Sequence, residues 1–401
     1  MNRISLPYGI DNFETVRTSN CYYIDKTGFI KELLGEAFSV NLLTRPRRFG
    51  KTLTMSMLAE FFDIRKDSRA LFDGLEISED QELCRQWMNQ YPVLFLTLKD
   101  VEGNRFEDAY GLLKFVISSL CIEHSYLGES DKTDEYDVPL AKAGDYNYYE
   151  EMLNIVKRFL GMVWKSNPYL QFAVVSGCLR IAKESIFTGA NNFISNSISD
   201  THYQNYFGFT EEEVRTLLED AGFPEALLEI KRWYDGYRFG EKEIYCPWDV
   251  INHVRALMQN PGAEPENYWI DTSHNNIIRR FIELPDINVN DKFETLLSGG
   301  VIQVRIREDL TYDIADTSEE NLWSILYLTG YLTQVLPEDL PDGMKMERDK
   351  KVLRIPNEEI KSVFSDTVKA WFEDKIEAED RRGFFREGMH DTVGRERVRA
   401  V

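Results

Sequence analysis

Histidine and cysteine are scarce in this chain, and neither residue type forms a recognisable ligand pattern. The 401 residues include five histidines and five cysteines, scattered along the sequence without a Cys-x-x-Cys pair. A structural zinc site requires clustered ligands, and a disulfide framework requires paired cysteines in a short secreted chain. Neither class of protein is indicated, and scattered, reduced cysteines are typical of the cytoplasm.

Long apolar runs are also missing. A membrane-spanning helix needs about 20 consecutive apolar residues, and no run in the sequence approaches that length. The first residues, Met1 to Pro7, lack the apolar core of a signal peptide. We therefore expect a cytoplasmic protein without a membrane segment.

Positive charge is in deficit, with 47 Lys and Arg residues against 68 Asp and Glu residues and a net charge of −21. Nucleic-acid binding through broad neutralisation of phosphates needs the opposite balance. A nucleic-acid partner is therefore not supported, although Arg45, Arg47 and Arg48 can form one local basic site beside a nucleotide.

The sequence does contain a phosphate-binding pattern, Thr-Arg-Pro-Arg-Arg-Phe-Gly-Lys-Thr, at residues 44–52. It follows an apolar, strand-like run ending at Leu43 and precedes a helix-like run, which is the arrangement of a P-loop. In a P-loop, Gly50 lets the backbone approach a phosphate, Lys51 reaches the β and γ phosphates, and the Thr52 hydroxyl can hold Mg²⁺.

The pattern departs from the generic P-loop at its start, where Arg45 replaces a glycine. Without that glycine the backbone loses the freedom to adopt positive φ at this position. A bare Gly-Lys-Thr also occurs in surface loops, so the flanking strand and helix patterns are what favours the P-loop interpretation.

Several ordered motifs resemble those of the AAA-ATPase-like family of bacterial and archaeal P-loop ATPases. They are Asn20–Thr27, Leu42–Thr52, Asp134–Asp137, Ile186–Asn192, Trp233–Tyr237 and Leu353–Asn357. The form Arg-Pro-Arg-Arg-Phe-Gly-Lys is characteristic of that family, so Arg45 is a family variant. The resemblance implies ATP and Mg²⁺ as ligands, and nucleotide-binding roles for Arg47, Arg48, Phe49, Gly50, Lys51 and Thr52.

The resemblance also implies a second acidic motif at Asp134 and Glu135. Asp134 would hold Mg²⁺ together with Thr52, and Glu135 would orient or deprotonate the water that attacks the γ-phosphate. The residues before it, 127–133, are polar and contain glycine, so the sequence predicts no buried strand there. We expect an internal deletion near Lys132 relative to the family. Taken alone, Asp-Glu-Tyr-Asp is more typical of a solvated acidic turn.

Further candidate residues lie outside the P-loop and the acidic motif. Ser176 follows an apolar, strand-like run, where it either senses the γ-phosphate or caps a helix. Arg180 either contacts phosphate or is a structural arginine. Tyr23, Asp25 and Lys26 match the family's N-terminal motif, and their functional interpretation is an approach to the base or ribose.

Strand-like and helix-like runs alternate in the first half, and mostly helical patterns follow. The predicted fold class is α/β, a P-loop NTPase-type parallel sheet with flanking helices followed by a mainly helical domain. We place the P-loop domain at 1–200, the helical part at 201–385 and a short disordered tail at 386–401. The aromatic-rich segment from Trp233 to Trp248 favours packing between domains over base stacking.

The C-terminus departs from the family pattern as well. Relatives usually carry a PD-(D/E)XK nuclease-like domain there, whereas here no Asp is followed by the Glu-x-Lys that holds a nuclease metal. The hypothesis is an ATP-binding protein whose Mg-dependent hydrolysis drives a conformational change, with a homo-oligomer as a compatible assembly. The alternative is a catalytically impaired nucleotide-binding or scaffold protein, because the strand before Asp134 is missing. A nucleic-acid-processing role is the least favoured.

Overall fold

The computed structural model describes residues 4–36, 40–124, 133–134, 139–140, 143, 146, 148–164, 167–179, 193–269, 290–308, 310 and 318–367. Its helices are α1 (Phe13–Thr18), α2 (Gly28–Gly35), α3 (Lys51–Phe62), α4 (Arg69–Phe72), α5 (Glu76–Glu79), α6 (Gln81–Trp87), α7 (Phe106–Glu123), α8 (Tyr149–Trp164), α9 (Glu211–Ala221), α10 (Leu227–Tyr234), α11 (Pro247–Gln259), α12 (Asn290–Leu297), α13 (Glu319–Leu328) and α14 (358–367). Its strands are β1 (Val40–Thr44), β2 (Leu96–Thr97), β3 (Thr133–Asp134), β4 (Ala173–Gly177), β5 (Phe193–Asn196), β6 (Tyr237–Phe239), β7 (Lys242–Ile244), β8 (Ile302–Val304), β9 (Thr333–Val335) and β10 (Lys351–Arg354). The predicted tail at 386–401 lies outside the described residues.

A five-stranded sheet forms the centre of the N-terminal part, in the order β2-β3-β4-β1-β5. All four neighbouring pairs are parallel. β1 and β4 are buried along their whole length, as expected for a parallel sheet that has helices on both faces. The predicted P-loop-type α/β fold is confirmed.

Strand β3 corrects the sequence analysis. Thr133 pairs with Leu96 of β2 and with Val175 of β4, so a strand lies inside the sheet and includes Asp134. The expectation that the strand before Asp134 is missing is therefore wrong. A two-residue strand joins the sheet through its main chain, and it is too short to show the apolar run by which a buried strand is predicted. The deletion near Lys132 stays a prediction.

The two faces of β1 belong to different hydrophobic cores, because successive side chains of a strand point to opposite faces. Leu43 packs in the core that contains Met57 and Phe61 of α3. Leu42 packs in a second core with Met152 and other residues of α8. The P-loop strand is therefore fixed from both sides.

The described residues of the helical part are 201–269, 290–308, 310 and 318–367. They contain α9 to α14 together with the sheets β8-β10-β9 and β6-β7. A capping box opens α9: Thr210 Oγ1 accepts from the Glu213 amide (3.4 Å), and the Glu213 carboxylate accepts from the Thr210 amide (2.8 Å). Phe49 of the P-loop shares a hydrophobic core with Tyr237 and Trp269. The helical part therefore packs directly against the loop.

Candidate nucleotide-binding site

The loop between β1 and α3 turns through two residues in the left-handed region. These are Arg48 (φ 69°) and Gly50 (φ 81°). Gly50 caps α3, and its carbonyl accepts from the Thr54 amide at 3.0 Å. The first amides of an α-helix have no carbonyl partner within the helix, so the N-terminus of α3 is suited to bind a phosphate.

Lys51, the first residue of α3, is buried within this loop with 5% of its surface exposed. Its Nζ donates to the carbonyl oxygens of Arg45 (3.3 Å) and Pro46 (3.1 Å) and lies 3.7 Å from Sγ of Cys178. The ammonium is therefore held among the loop carbonyls, where a phosphate seated on the loop would come within its reach. Thr52 follows in the first turn of α3 and is half-buried.

Two other predicted site residues, Ser176 and Asp134, lie in strands at the same edge of the sheet as the P-loop. Ser176 of β4 is opposite Leu43 of β1. Thr133 of β3 is opposite Val175, so Asp134, one residue on, is level with Ser176. The carboxyl edge of a parallel sheet is where α/β proteins bind their ligands.

Ser176 is fully buried and is the fourth residue of β4. Glu135, Arg180, Asn191 and Asn192 lie outside the described residues.

Arg45 is a buried structural residue. Its side chain is 0% exposed, and its Nη1 donates to the carbonyl oxygens of Thr44 (2.9 Å) and Asn196 (2.8 Å). The guanidinium also lies over the rings of Phe207 and Phe239, at 5.1 and 5.4 Å from their centroids. The expectation that Arg45 forms a basic site beside the nucleotide is therefore wrong, because its side chain is fully buried and its Nη1 donates to main-chain carbonyls.

The electrostatics of Arg45 follow from this burial. Loss of solvation lowers its pKa to about 10, and the nearby charge of Asp200 opposes part of that shift. Positive φ in the loop occurs at Arg48 and Gly50, so the backbone does not need a glycine at position 45.

Phe49 contributes its side chain to the core. The side chain is 1% exposed, and its ring lies 5.0 Å from the rings of both Tyr237 and Phe239. Only the main chain of Phe49 is therefore available to a nucleotide.

Arg48 extends its side chain into the helical part. Its Nη1 donates to the carbonyl of Tyr268. The guanidinium lies 5.2 Å from the ring centroid of Trp248 and 5.9 Å from that of Trp269, distances at which cation–π attraction contributes.

Gly330, two residues after the end of α13, is a contact of the loop that the sequence analysis missed. It has a φ of 91°, and a Cβ at this position would lie 3.1 Å from Cβ of Pro46. Burial raises the pKa of the adjacent Tyr331, and its hydrogen bond with Trp269 and the charges of Arg47 and Arg48 lower it. The only sequence signal for the contact is a glycine at a helix end.

The N-terminal motif is used in internal contacts, which corrects its interpretation as a base or ribose site. The Tyr23 hydroxyl contacts Sδ of Met57. Asp25 accepts from the amides of Thr27 and Glu76, which supports the start of α5. Lys26, 9% exposed, pairs with Glu213 at 2.6 Å.

Two family motifs that are distant in sequence meet in the structure. Nδ2 of Asn357 donates to the carbonyl of Asp235 at 2.7 Å. The adjacent Gly236, with a φ of 91°, lies so close to Pro356 that a Cβ would come within 2.2 Å of its carbonyl oxygen. The aromatic residues around this contact confirm the packing interpretation, since four of them are buried: Tyr234, Tyr237, Phe239 and Tyr245.

A buried pair of carboxyl groups lies behind Arg48. Asp249 of α11 and Glu359 of α14 are both 0% exposed. Oε1 of Glu359 accepts from the amides of Tyr268 (2.6 Å) and Trp269 (3.0 Å). Burial, and then the neighbouring Asp249, raise the pKa of Glu359. Two buried carboxyl groups that face each other are stabilised when one of them is protonated and donates a hydrogen bond to the other.

This pair makes a prediction for stability against pH. Because the folded pKa of Glu359 is raised, the contribution of this group to stability is fully present at low pH and is lost as the pH rises above its unfolded pKa of about 4.5. Glu359→Gln keeps the two amide acceptor contacts and removes the titrating group. The free energy of unfolding should therefore decrease less steeply with pH in this variant than in the wild type. Between pH 5 and 8 we expect the slope to differ by up to about 1.4 kcal/mol per pH unit.

Urea denaturation at several pH values measures this effect, with Glu358→Gln as the control. Glu358 precedes Glu359 on the same helix and is exposed, so its variant should keep the wild-type slope. Burial raises the pKa of Asp249, the other member of the pair, and Cys246 and Arg48 lower it. Equal slopes in the two variants would show that Glu359 is ionised in the folded protein.

The predicted ligands of a magnesium ion are the Thr52 hydroxyl and the Asp134 carboxylate, and both would supply the hard oxygen atoms that Mg²⁺ prefers. Within the described ranges there is no cluster of three or more His, Cys, Asp or Glu side chains that could hold a metal ion by itself. The described helices include none long and apolar enough to cross a membrane.

The parallel sheet, the glycine-capped α3 and the buried Lys51 define a P-loop fold. Residues 7–130 and 133–187 match the model of the AAA-ATPase-like family, described as a predicted AAA-ATPase. Over these residues, which make up less than half of the chain, the sequence is similar to that family. The match is interrupted at 131–132, next to the junction where the sequence predicts a deletion.

Two other proteins resemble this chain over most of its length. An uncharacterized protein in the vnfD 5′ region of Azotobacter chroococcum mcd 1 is 26% identical over 404 residues, which cover 92% of this chain and 70% of that protein. The Walker-type ATPase PABY2304 of Pyrococcus abyssi has 13% identity and a TM-score of 0.43, covering 87% of this chain and 97% of that one. A likeness at that TM-score adds no weight to the assignment.

Proposed function

We propose that this protein binds ATP with Mg²⁺ at residues 45–52 and hydrolyses it. The observation that carries the proposal is the position of Lys51, buried among the loop carbonyls at the start of α3. The similarity of residues 7–130 and 133–187 to the AAA-ATPase-like family supports ATPase-like nucleotide binding. The level positions of Ser176 and Asp134 at the same sheet edge support a complete catalytic site.

In this proposal the phosphates are bound by the main-chain amides of residues 48–52 and by the Lys51 ammonium. Arg48 and Phe49 take part through their main chain, and Arg47 supplies further positive charge. Thr52 and Asp134 would hold Mg²⁺, which neutralises phosphate charge during transfer.

The remaining roles concern the attacking water. Ser176 is proposed to sense the γ-phosphate from β4, and Glu135 to orient or deprotonate the water. Hydrolysis would change the contacts of the loop with the helical part and so drive a conformational change. A homo-oligomer is compatible with this activity and remains a proposal.

Glu135→Gln is expected to lower the rate of phosphate release by about a hundredfold or more, because general-base catalysis contributes at least that factor. Binding of Mg-ATP, measured by titration calorimetry, should persist in this variant and be lost in Lys51→Ala. Glu107→Gln, an exposed carboxylate of α7, is the control and should match the wild type.

The outcomes separate the two functional hypotheses. Wild-type protein that binds Mg-ATP but releases no phosphate would support the alternative, a nucleotide-binding or scaffold protein without turnover. Phosphate release that is unchanged by Glu135→Gln would remove Glu135 from the catalytic site.

A further inference from the structure

The main chain and the side chain of Arg48 serve different parts of the molecule. The main chain belongs to the P-loop, where its φ of 69° is unfavourable for a residue that carries a Cβ. The guanidinium is instead bound in the helical part, by the Tyr268 carbonyl and between Trp248 and Trp269. Contacts on the side chain thus help to hold the backbone in an unusual conformation.

The partners of Arg48 are themselves fixed. The amides of Tyr268 and Trp269 donate to Glu359 of α14. Trp248 belongs to α11, and its ring stacks on that of Tyr8 at 5.6 Å. A continuous set of contacts therefore runs from the P-loop to two helices of the helical part.

The same contacts argue against a base platform at Trp248. The rings of Tyr8 and Trp248 are nearly parallel, with 26° between their planes, and the guanidinium of Arg48 also lies over Trp248. Tyr8 is in turn covered by Arg255, whose guanidinium carbon is 4.0 Å from the ring centroid. A nucleotide base would have to displace these groups before it could stack there.

We propose that Arg48 is a positioning residue that transmits the state of the P-loop to α11 and α14 through Trp248 and Trp269. The inference rests on the proposed ATP binding. When a phosphate binds the main-chain amides of the loop, the backbone of Arg48 rotates. Because the Cα–Cβ bond rotates with the backbone, the guanidinium then moves relative to the indole rings of Trp248 and Trp269. Arg48 therefore couples the loop to the helical part without contacting the nucleotide through its side chain.

Tryptophan emission tests the coupling, because the fluorescence of an indole responds to a cation moving across its face. The wild type is titrated with Mg-ATP and followed by emission and, in parallel, by calorimetry. We expect an emission change that saturates with the calorimetric binding curve. Trp248→Phe and Trp269→Phe assign the signal, since the chain contains seven tryptophans.

Arg48→Ala is expected to abolish the emission change while weakening Mg-ATP binding by no more than about tenfold. Lys51→Ala should weaken binding by about a hundredfold or more, because it removes a charge-assisted contact with the phosphates. Arg48→Lys keeps the charge without the planar fork, so it should restore part of the emission change, a rescue that loss of packing alone does not predict.

Three results would overturn the inference, and they are distinguishable. Calorimetric binding without any emission change in the wild type would remove the coupling and leave the proposed function intact. Loss of binding in Arg48→Ala as complete as in Lys51→Ala would make Arg48 a phosphate ligand. Absence of calorimetric binding in the wild type would reject the proposed function, and the inference with it.

Discussion

Arg45→Gly, which restores the generic P-loop pattern, is expected to lower the free energy of unfolding by about 3–5 kcal/mol. The guanidinium fills a fully buried space and donates to the carbonyls of Thr44 and Asn196. Glycine leaves a cavity, removes both hydrogen bonds and adds backbone entropy to the unfolded chain. Urea denaturation of the two proteins measures the difference.

Arg85→Ala is the matched control for loss of an arginine. Its side chain is 71% exposed and pairs with Glu82 on the same helix, so its removal should change stability by no more than about 0.5 kcal/mol. A loss below about 1 kcal/mol in Arg45→Gly would contradict the structural role of Arg45, since unsatisfied buried carbonyls cost more than that.

Gly236→Ala is expected to lower the free energy of unfolding by more than about 4 kcal/mol, or to prevent folding. The new Cβ would lie 2.2 Å from the carbonyl oxygen of Pro356, which is main chain and cannot rotate away. Positive φ adds its own cost for a residue with a side chain. The contact between two family motifs would have to open.

Gly343→Ala separates the two costs. Gly343 also has positive φ (80°), but a Cβ there would have no neighbour within 4 Å. Its substitution should lower the free energy of unfolding only through the unfavourable positive φ, by about 1–2 kcal/mol. Equal losses in the two variants, measured by urea denaturation, would mean that the Pro356 contact has room to relax.

The longer buried elements of the fold could be predicted because their patterns extend over enough residues. β1, α3 and β4 all lie where the strand-like and helix-like runs beside the P-loop and before Ser176 indicate. β3 was missed because two residues paired through their main chain leave no side-chain pattern.

In the candidate site, too, the local motif could be predicted from the sequence, whereas the long-range contacts could not. Gly50, Lys51 and Thr52 form a local motif whose strand, loop and helix are encoded within about twenty residues. The destinations of the Arg45 and Arg48 side chains depend on residues 196 and 268, which no spacing rule connects to the loop. Sequence reasoning therefore placed both arginines at the nucleotide, whereas packing directs them into the protein.

The most direct test of ATP binding at the P-loop is a thermal-shift titration with Mg-ATP, comparing the wild type with Lys51→Ala. A ligand that binds only the folded state stabilises it by about 2.7 kcal/mol at a hundred times its Kd. We predict a Tm that rises with Mg-ATP concentration in the wild type and stays constant in Lys51→Ala. A cooperative wild-type melt whose Tm does not move, or an equal rise in both proteins, would contradict nucleotide binding through Lys51.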